Sequence, residues 1–280
     1  MAAKQSKQTS HANWFDERPS DSQIPQSARR LLETYSGIAP DNVIEHIIQV
    51  RNEAWNVHPY PCLGQFRFLE AGLDQCEEYN EVVERLCSGQ KLLDMACCVG
   101  QTIRQLVADG APSKNIYGCD LQPNFIELGY KLFRDRDKLE TRFLVADIFD
   151  PNSALQDPNV KCKLDMIYAG SFFHLWGLEQ QKQVSKVVAS LMNPQPGSLI
   201  LGRQIGAVEA AEKTSATGTM FRHNAESFKK MWKEIGDDLG FTFAIEAHLK
   251  MLNDEHFESH TNDQFQANDT RRIWFSIRMQ

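Results

Sequence analysis

From Gly89 onward the chain repeats one rhythm: a short apolar run, a turn, then an amphipathic stretch. The runs are "KLLDMA", "NIYGCDL", "TRFLVADIF", "LDMIYAG" and "PGSLILGRQIG". Between and after them stand "GQTIRQLVADG", "NFIELGYKLFRDR", "LEQQKQVSKVVASLM" and "AESFKKMWKEIGDDLG", each with apolar residues at helical spacing. Strands that alternate with helices imply a parallel sheet covered on both faces. The last two runs, "FTFAIEAHL" and "RRIWFSIRM", have only a polar loop between them, which predicts an antiparallel hairpin at one edge.

Upstream the pattern is different. Residues 1–23 are polar and read as a mobile segment, whereas residues 24–88 are mainly helical. "DNVIEHIIQVRNEAWNV" sets Val43, Ile44, Ile47, Ile48 and Val50 near one stripe, with Asp41 as N-cap. "HPYPCLGQFRF" reads as a loop, and "YNEVVERLCSGQ" as a helix closed by Gly89. The chain thus divides at 1–23, 24–88 and 89–280.

The first strand and turn after Gly89, "LLDMACCVGQ", occupy the place where open α/β sheets bind ligands. Against the template D-x-G-x-G-x-G, only Gly100 is a glycine; Ala96 and Cys98 stand at the other two places. Both are small enough for close approach to a ligand. Neither tolerates positive φ as glycine does, so their backbone is expected in ordinary regions. The dinucleotide fingerprint G-x-G-x-x-G would need glycines at Ala96, Cys98 and Gln101, and none is present. Two later acids fall at strand ends. Asp120 can accept hydrogen bonds from a ribose diol, and Asp147 from an exocyclic amine, with Ile148 as an apolar wall. Each acid can equally cap the turn that follows it.

Composition narrows the partners. The net charge of −7 over 280 residues argues against a general nucleic-acid binder. No apolar run reaches the roughly 18 residues of a membrane helix, and the N-terminal stretch lacks the apolar core of a secretory signal. Seven cysteines without zinc-ribbon spacing read as reduced thiols of a cytoplasmic protein. Adjacent Cys97 and Cys98 would make a strained disulfide, which leaves them as small spacers in the turn. The eight histidines form no H-E-x-x-H, so no metal is expected.

"LLDMACCVGQ", "YGCDLQPNFIELG", "FLVADIFD" and "LDMIYAGSFFHLW" together resemble the successive motifs of class I S-adenosylmethionine-dependent methyltransferases. "AWNVHPYPCLGQFRFLEAGL", "ELGYKLFRDRDKL" and "MFRHNAESFKKMW" resemble, more narrowly, the fungal meroterpenoid O-methyltransferases. The resemblance implies a Rossmann-like sheet, mostly parallel, with seven strands, an antiparallel C-terminal hairpin and an N-terminal helical lid. It implies S-adenosyl-L-methionine as cofactor and a carboxylate or hydroxyl of a polyketide-terpenoid intermediate as acceptor. Carried over by position, Asp94, Ala96, Cys97 and Gly100 would face the methionine end of the cofactor. Asp120 and Leu121 would hold the ribose, Asp147 and Ile148 the adenine, and Gly170 and Ser171 would lie beside the methyl group.

On the acceptor side, His174 follows the fourth strand and can serve as a base or donor, or simply as a half-buried histidine that starts a helix. Arg203 ends the fifth strand and can clamp a carboxylate or form a surface ion pair. Arg222 and His223 can line the pocket or lie in a solvated loop. Trp14, Phe15, Trp55, Tyr60 and Phe66 can form an aromatic lid over an apolar acceptor, or, as for Trp55, pack in a core. The expected partner is a small molecule rather than nucleic acid or membrane, with a homodimer left open. An NAD-type oxidoreductase and a non-catalytic cofactor-binding protein are the competing readings.

Overall fold

The computed structural model describes residues 14–20, 23–215, 218–251 and 269–280. Eight helices are described: α1 (Gln26–Arg30), α2 (Val43–Val57), α3 (Pro61–Gly64), α4 (Tyr79–Cys87), α5 (Gln101–Ala108), α6 (Pro123–Phe133), α7 (Leu178–Leu191) and α8 (Ala225–Leu239). The strands are β1 (Leu92–Met95), β2 (Ile116–Asp120), β3 (Arg142–Val145), β4 (Met166–Tyr168), β5 (Leu199–Ala207), β6 (Ala211–Ser215), β7 (Gly218–Arg222), β8 (Phe243–Lys250) and β9 (Thr270–Met279).

Seven strands form the main sheet in the order β3-β2-β1-β4-β5-β9-β8. β1 to β5 pair in parallel, and β9 runs antiparallel between β5 and β8. The terminal strands are thus a hairpin, as expected, with its second strand inserted beside β5. The order reverses between β2-β1 and β4, which puts the switch point at the carboxyl ends of β1 and β4. β6 and β7 form a separate antiparallel hairpin between β5 and α8, where the sequence pattern shows no strand. Its residues are too polar to alternate visibly.

Burial follows the two-residue period of each strand. Leu92, Ile116, Met166, Leu199 and Leu201 pack with Val82 and Leu86 of α4 and Ile103 and Leu106 of α5. Leu93, Met95, Cys119, Ile167 and Ile200 face the other way, toward Val184 and Val188 of α7 and Phe228, Met231 and Trp232 of α8. α8 begins with a reciprocal cap. Asn224 Oδ1 accepts from the Ser227 amide at 2.9 Å, and Ser227 Oγ accepts from the Asn224 amide at 3.1 Å. Full burial of Phe228 or Trp232 contributes roughly 1.5–3 kcal/mol.

The helical layer before β1 has its own core. Val43, Ile47, Val50 and Ala54 of α2 are buried and pack with Leu32, Leu63, Phe66 and with Phe125, Leu128 and Leu132 of α6. Asp41 is not the N-cap of α2; that place falls to Asn42, with no side-chain hydrogen bond. Arg51 is fully buried and gathers the layer. Its guanidinium lies between the rings of Phe15 and Phe66, 4.1 and 4.2 Å from their centroids. It donates to the carbonyls of Asp16 at 2.6 Å, Glu17 at 3.0 Å and Gly64 at 3.1 Å. Asp16 and Glu17 are thereby tied to the helical layer; residues 1–13 and 21–22 lie outside the described residues. All seven cysteines are free, and no described helix is long and apolar enough to cross a membrane.

Candidate functional site

The turn from β1 to α5 departs from expectation in its backbone. Ala96 has φ +57°, Cys98 φ +52° and Gly100 φ +66°. The two non-glycine residues take the left-handed conformation they were expected to avoid, each at a cost of about 1–2 kcal/mol. Tertiary bonds hold them there. The Cys97 amide donates to the Cys119 carbonyl at 2.9 Å, and the Cys98 amide to Asp120 Oδ2 at 2.8 Å. The Gly100 amide closes back onto the Cys97 carbonyl at 2.7 Å. Arg104 Nη1 donates to the Val99 carbonyl at 3.0 Å. The turn therefore keeps the path that a glycine-rich sequence would take. Burial pushes the thiols of Cys97 and Cys98 well up, so both stay protonated and unreactive.

Asp94 and Asp120 face this turn from neighbouring strands. Asp94 is buried, and burial first, then the charge of Asp120, pushes its carboxyl well above the ordinary range. Asp120 is also raised by burial, against the pull of the backbone amides of Gln122, Cys98 and Leu121. Its Oδ1 accepts from Gln122 at 2.9 Å, so each carboxylate oxygen keeps lone pairs for a further donor. Leu121 beside it is 56% exposed. Asp147 lies two residues past β3 and is exposed; its Oδ1 accepts from the Phe149 amide at 2.9 Å, the turn-capping arrangement. Ile148 is half-buried next to it.

Past β4, Gly170 is half-buried and Ser171 is exposed with φ +54°. The Ser171 amide donates to the Arg203 carbonyl at 2.6 Å. His174 follows in a short turn, Phe173–Leu175, and its Nδ1 is enclosed without a protein partner. Burial, then the cations of Arg222 and Arg67, hold its imidazole down to about 4. Arg222 and His223 are 3% and 1% exposed, so they sit inside the protein at the end of β7 rather than in a solvated loop. Arg222 Nη1 donates to Thr270 Oγ1 at 3.2 Å, and His223 Nδ1 pairs with Ser227 Oγ at 2.8 Å.

Arg203 stands in the middle of β5 rather than at its end, since the strand runs on to Ala207, and it points elsewhere. Its Nη2 donates to Glu70 Oε2 at 2.7 Å beneath the helical layer, and the pair is buried rather than superficial. Asp94 and Tyr168 are register partners on the same face of the sheet, and Arg203 lies two residues beyond the next partner, Leu201. A Cβ at Gly72 would come within 2.5 Å of Arg203 Nε and 2.6 Å of Tyr168 Oη, so only glycine fits there, with φ +75°.

The aromatic residues of the layer divide. Trp55 is buried against Phe15, 4.8 Å between centroids, and Phe66 lies under Arg51. Both belong to the layer's core. Trp14 is 39% exposed. Tyr60 packs against His58 with the rings tilted and their centroids 4.1 Å apart, and its phenol is raised by burial, then by Asp120, Cys62 and Cys98. Tyr60 thus lies within the electrostatic reach of Asp120 and of Cys98 in the turn.

Sequence reasoning missed Arg104, Glu70 and Tyr168. The one signal was an arginine amid the apolar positions of "GQTIRQLVADG". Among the described residues no group of three His, Cys, Asp or Glu can hold a metal ion.

The N-terminal layer, residues 14–69, matches a family profile described as "Meroterpenoid methyltransferase N-terminal domain", and residues 92–195 match a "Methyltransferase domain" profile. The chain is 41% identical over 265 residues to "O-methyltransferase phiE" of a fungal species, covering 89% of this chain and 87% of that one. It is 37% identical to "O-methyltransferase atr3" of Stereocaulon alpinum over 94% of this chain and 75% of that one. It is 38% identical to "Asnovolin E/Chermesin D methyltransferase nvfJ" of Aspergillus novofumigatus over 85% and 83%. Among solved structures, a 1,6-didemethyltoxoflavin-N1-methyltransferase of Burkholderia thailandensis, with its substrate and S-adenosylhomocysteine bound, superposes with TM-score 0.51 at 9% identity, over 87% of this chain and 92% of that one. The [4+2]-cyclase SpnF gives 0.50 at 14% identity, over 71% and 80%. At such identities the likeness is one of fold.

Proposed function

The chain belongs to the fungal meroterpenoid methyltransferases, and from that premise we propose that it moves the methyl group of S-adenosylmethionine to a carboxylate oxygen of a small, largely apolar metabolite of the polyketide-terpenoid type. One observation carries the choice of a carboxylate: His174, the titratable group that follows β4, is held down to about 4. A base that weak is poorly matched to a phenol with pKa near 10, whereas a carboxylic acid near 4 is already ionised at neutral pH and needs no base.

The residues fit the donor. Asp120 has lone pairs free for a ribose diol beside the exposed Leu121, and the half-buried Ile148 with exposed Asp147 offers an apolar wall and an acceptor to an adenine. Asp94, raised by burial, would be returned to its ionised form by an ammonium group next to it. Ala96, Cys97 and Gly100 present backbone at close range to the methionine end, and Gly170 and Ser171 flank the place for the methyl. Tyr60 covers the ribose side. S-adenosylmethionine supplies, when bound, an electrophilic methyl on a sulfonium. The protein's task is alignment: a carboxylate oxygen forms the new bond to carbon as the carbon–sulfur bond breaks, and no proton is moved. The cations of Arg222 and Arg67 make the surroundings of His174 positive, which favours an anionic acceptor, and His174 Nδ1 adds a hydrogen-bonding group. Free thiols at all seven cysteines favour a cytosolic setting.

Calorimetry with S-adenosylhomocysteine and NADH tests the donor; binding of the first and not the second is expected. A panel of polyketide-terpenoid acids, and the same compounds with the carboxyl reduced to an alcohol, tests the acceptor by product mass. Methylation of the alcohols but not the acids would overturn the carboxylate assignment.

A further inference from the structure

We propose that Arg104 is a positioning residue for the cofactor turn, a brace that keeps a glycine-poor loop in a glycine-like path. The side chain is fully buried in the middle of α5. Its Nε and Nη2 donate to the two oxygens of Asp135 at 2.8 and 3.0 Å. The remaining arm, Nη1, donates to the Val99 carbonyl at 3.0 Å and to the Gly100 carbonyl at 3.4 Å. Asp135 fixes the guanidinium plane, and that plane fixes two successive carbonyls of the turn. The rings of Tyr130, Phe133 and Phe143, 5.1–5.5 Å away, wall the group in and keep water out.

A buried ion pair of this kind does not by itself argue for stability, because burying both charges offsets much of their attraction. Its geometry indicates a different role. The turn carries left-handed residues at 96, 98 and 100, and two of them lack the freedom of glycine. Asp120 catches the turn at the Cys98 amide, and Arg104 catches it one residue later at the Val99 carbonyl. With both ends held, the Cys98–Val99 segment cannot relax to an ordinary conformation. Asp135 Oδ2 also accepts from Tyr35 Oη at 2.9 Å, so the same carboxylate joins the helical layer to the brace. A planar fork is required: lysine has the charge but cannot reach Asp135 and two carbonyls in one plane.

The brace rests on the cofactor reading above for its consequence, but its physical content can be measured without any ligand. Arg104→Lys is made in the native chain and in an Ala96→Gly/Cys98→Gly chain, and each parent is carried beside its variant. Amide exchange of the peptide that contains Gly100 is followed without ligand, and the Kd for S-adenosylhomocysteine is measured by calorimetry. In the native turn, Arg104→Lys is expected to speed exchange and raise Kd about tenfold. In the glycine turn the rise is expected to be threefold or less, because glycine reaches the left-handed region unaided. Equal losses in the two backgrounds, or no loss in the native turn, would overturn the brace. If Arg104→Lys does not fold, Asp135→Asn is run through the same cycle, with the same outcomes deciding. If S-adenosylhomocysteine does not bind the parent chain, the cofactor reading fails, and the ligand-free exchange cycle alone decides for or against the brace.

Discussion

Arg203 Nη2 and Glu70 Oε2 lie 2.7 Å apart although 133 residues separate them in the chain. Their side chains are 9% and 17% exposed, so the pair fastens the helical layer to the middle of β5 from inside. Burial works against ionised Glu70, but the cations of Arg203 and Arg272 outweigh it and hold the carboxyl below its ordinary range. Glu70→Gln leaves the Arg203 charge buried with a weaker partner. Denaturant unfolding is expected to show a loss of about 3 kcal/mol. A loss under roughly 0.5 kcal/mol would mark the pair as no stronger than a surface bridge.

Gly72→Ala tests the same fastening sterically. The added methyl meets Arg203 Nε and Tyr168 Oη inside contact distance, on a backbone with φ +75°. A fall in melting temperature is expected together with faster proteolysis between residues 66 and 76. A variant as stable and as resistant as the parent would show that this segment is looser than its contacts suggest.

Ala96→Gly relieves a left-handed residue at about 1–2 kcal/mol. The gain is opposed by about 0.4–1 kcal/mol of extra freedom in the unfolded chain and by the loss of a half-buried methyl. The balance is a change near zero, up to about 0.5 kcal/mol in favour of glycine. Ala96→Val, β-branched at positive φ, is expected to lose about 2 kcal/mol or more. Equal unfolding curves for the glycine and valine variants would mean that residue 96 does not hold this conformation.

Asp120→Asn removes the ionised acceptor at the end of β2. Affinity for S-adenosylhomocysteine is expected to weaken by about 1–3 kcal/mol, read by calorimetry. Because burial raises the Asp120 carboxyl, wild-type affinity should begin to fall at a higher pH than an ordinary aspartate would give, as protonation removes the charge. An asparagine variant with parental affinity across that range would exclude the carboxylate from binding.

Burial holds His174 and His223 down to about 4, against an ordinary value of 6.5. In the unfolded chain both take up a proton as pH drops past 6.5, while in the folded protein they do so only near 4. Their contribution to stability is therefore full above about pH 6.5 and is lost as pH falls through the window to 4. Asp94 and Asp120, raised by burial, act with the opposite sign over part of that window. The difference between wild type and His223→Asn isolates one histidine. The variant's melting temperature should depend less steeply on pH between 6.5 and 4, and parallel curves would refute the assignment.

The parallel sheet, the helices on both faces and the closing hairpin were legible because periodicity records which face of each element is buried. The place of the turn and Asp120 at its edge were legible for the same reason: they sit at strand ends that periodicity locates, whereas Asp147 falls two residues past β3. The β6–β7 hairpin was not, since its strands lack alternating apolar residues. The burial of Arg222 and His223 was hidden with it. Trp55 and Arg203 were legible as residue types but not as contacts, because their partners, Phe15 and Glu70, come from distant parts of the chain.

Periodicity in the chain fixes the order and faces of the elements, and with them a turn at the switch point that carries one glycine instead of three. That Ala96 and Cys98 take positive φ there comes from contacts made across the fold. Local preference opposes that conformation; the Asp120 carboxylate and the Arg104 guanidinium, brought in from a neighbouring strand and from within α5, supply the hydrogen bonds that outweigh it.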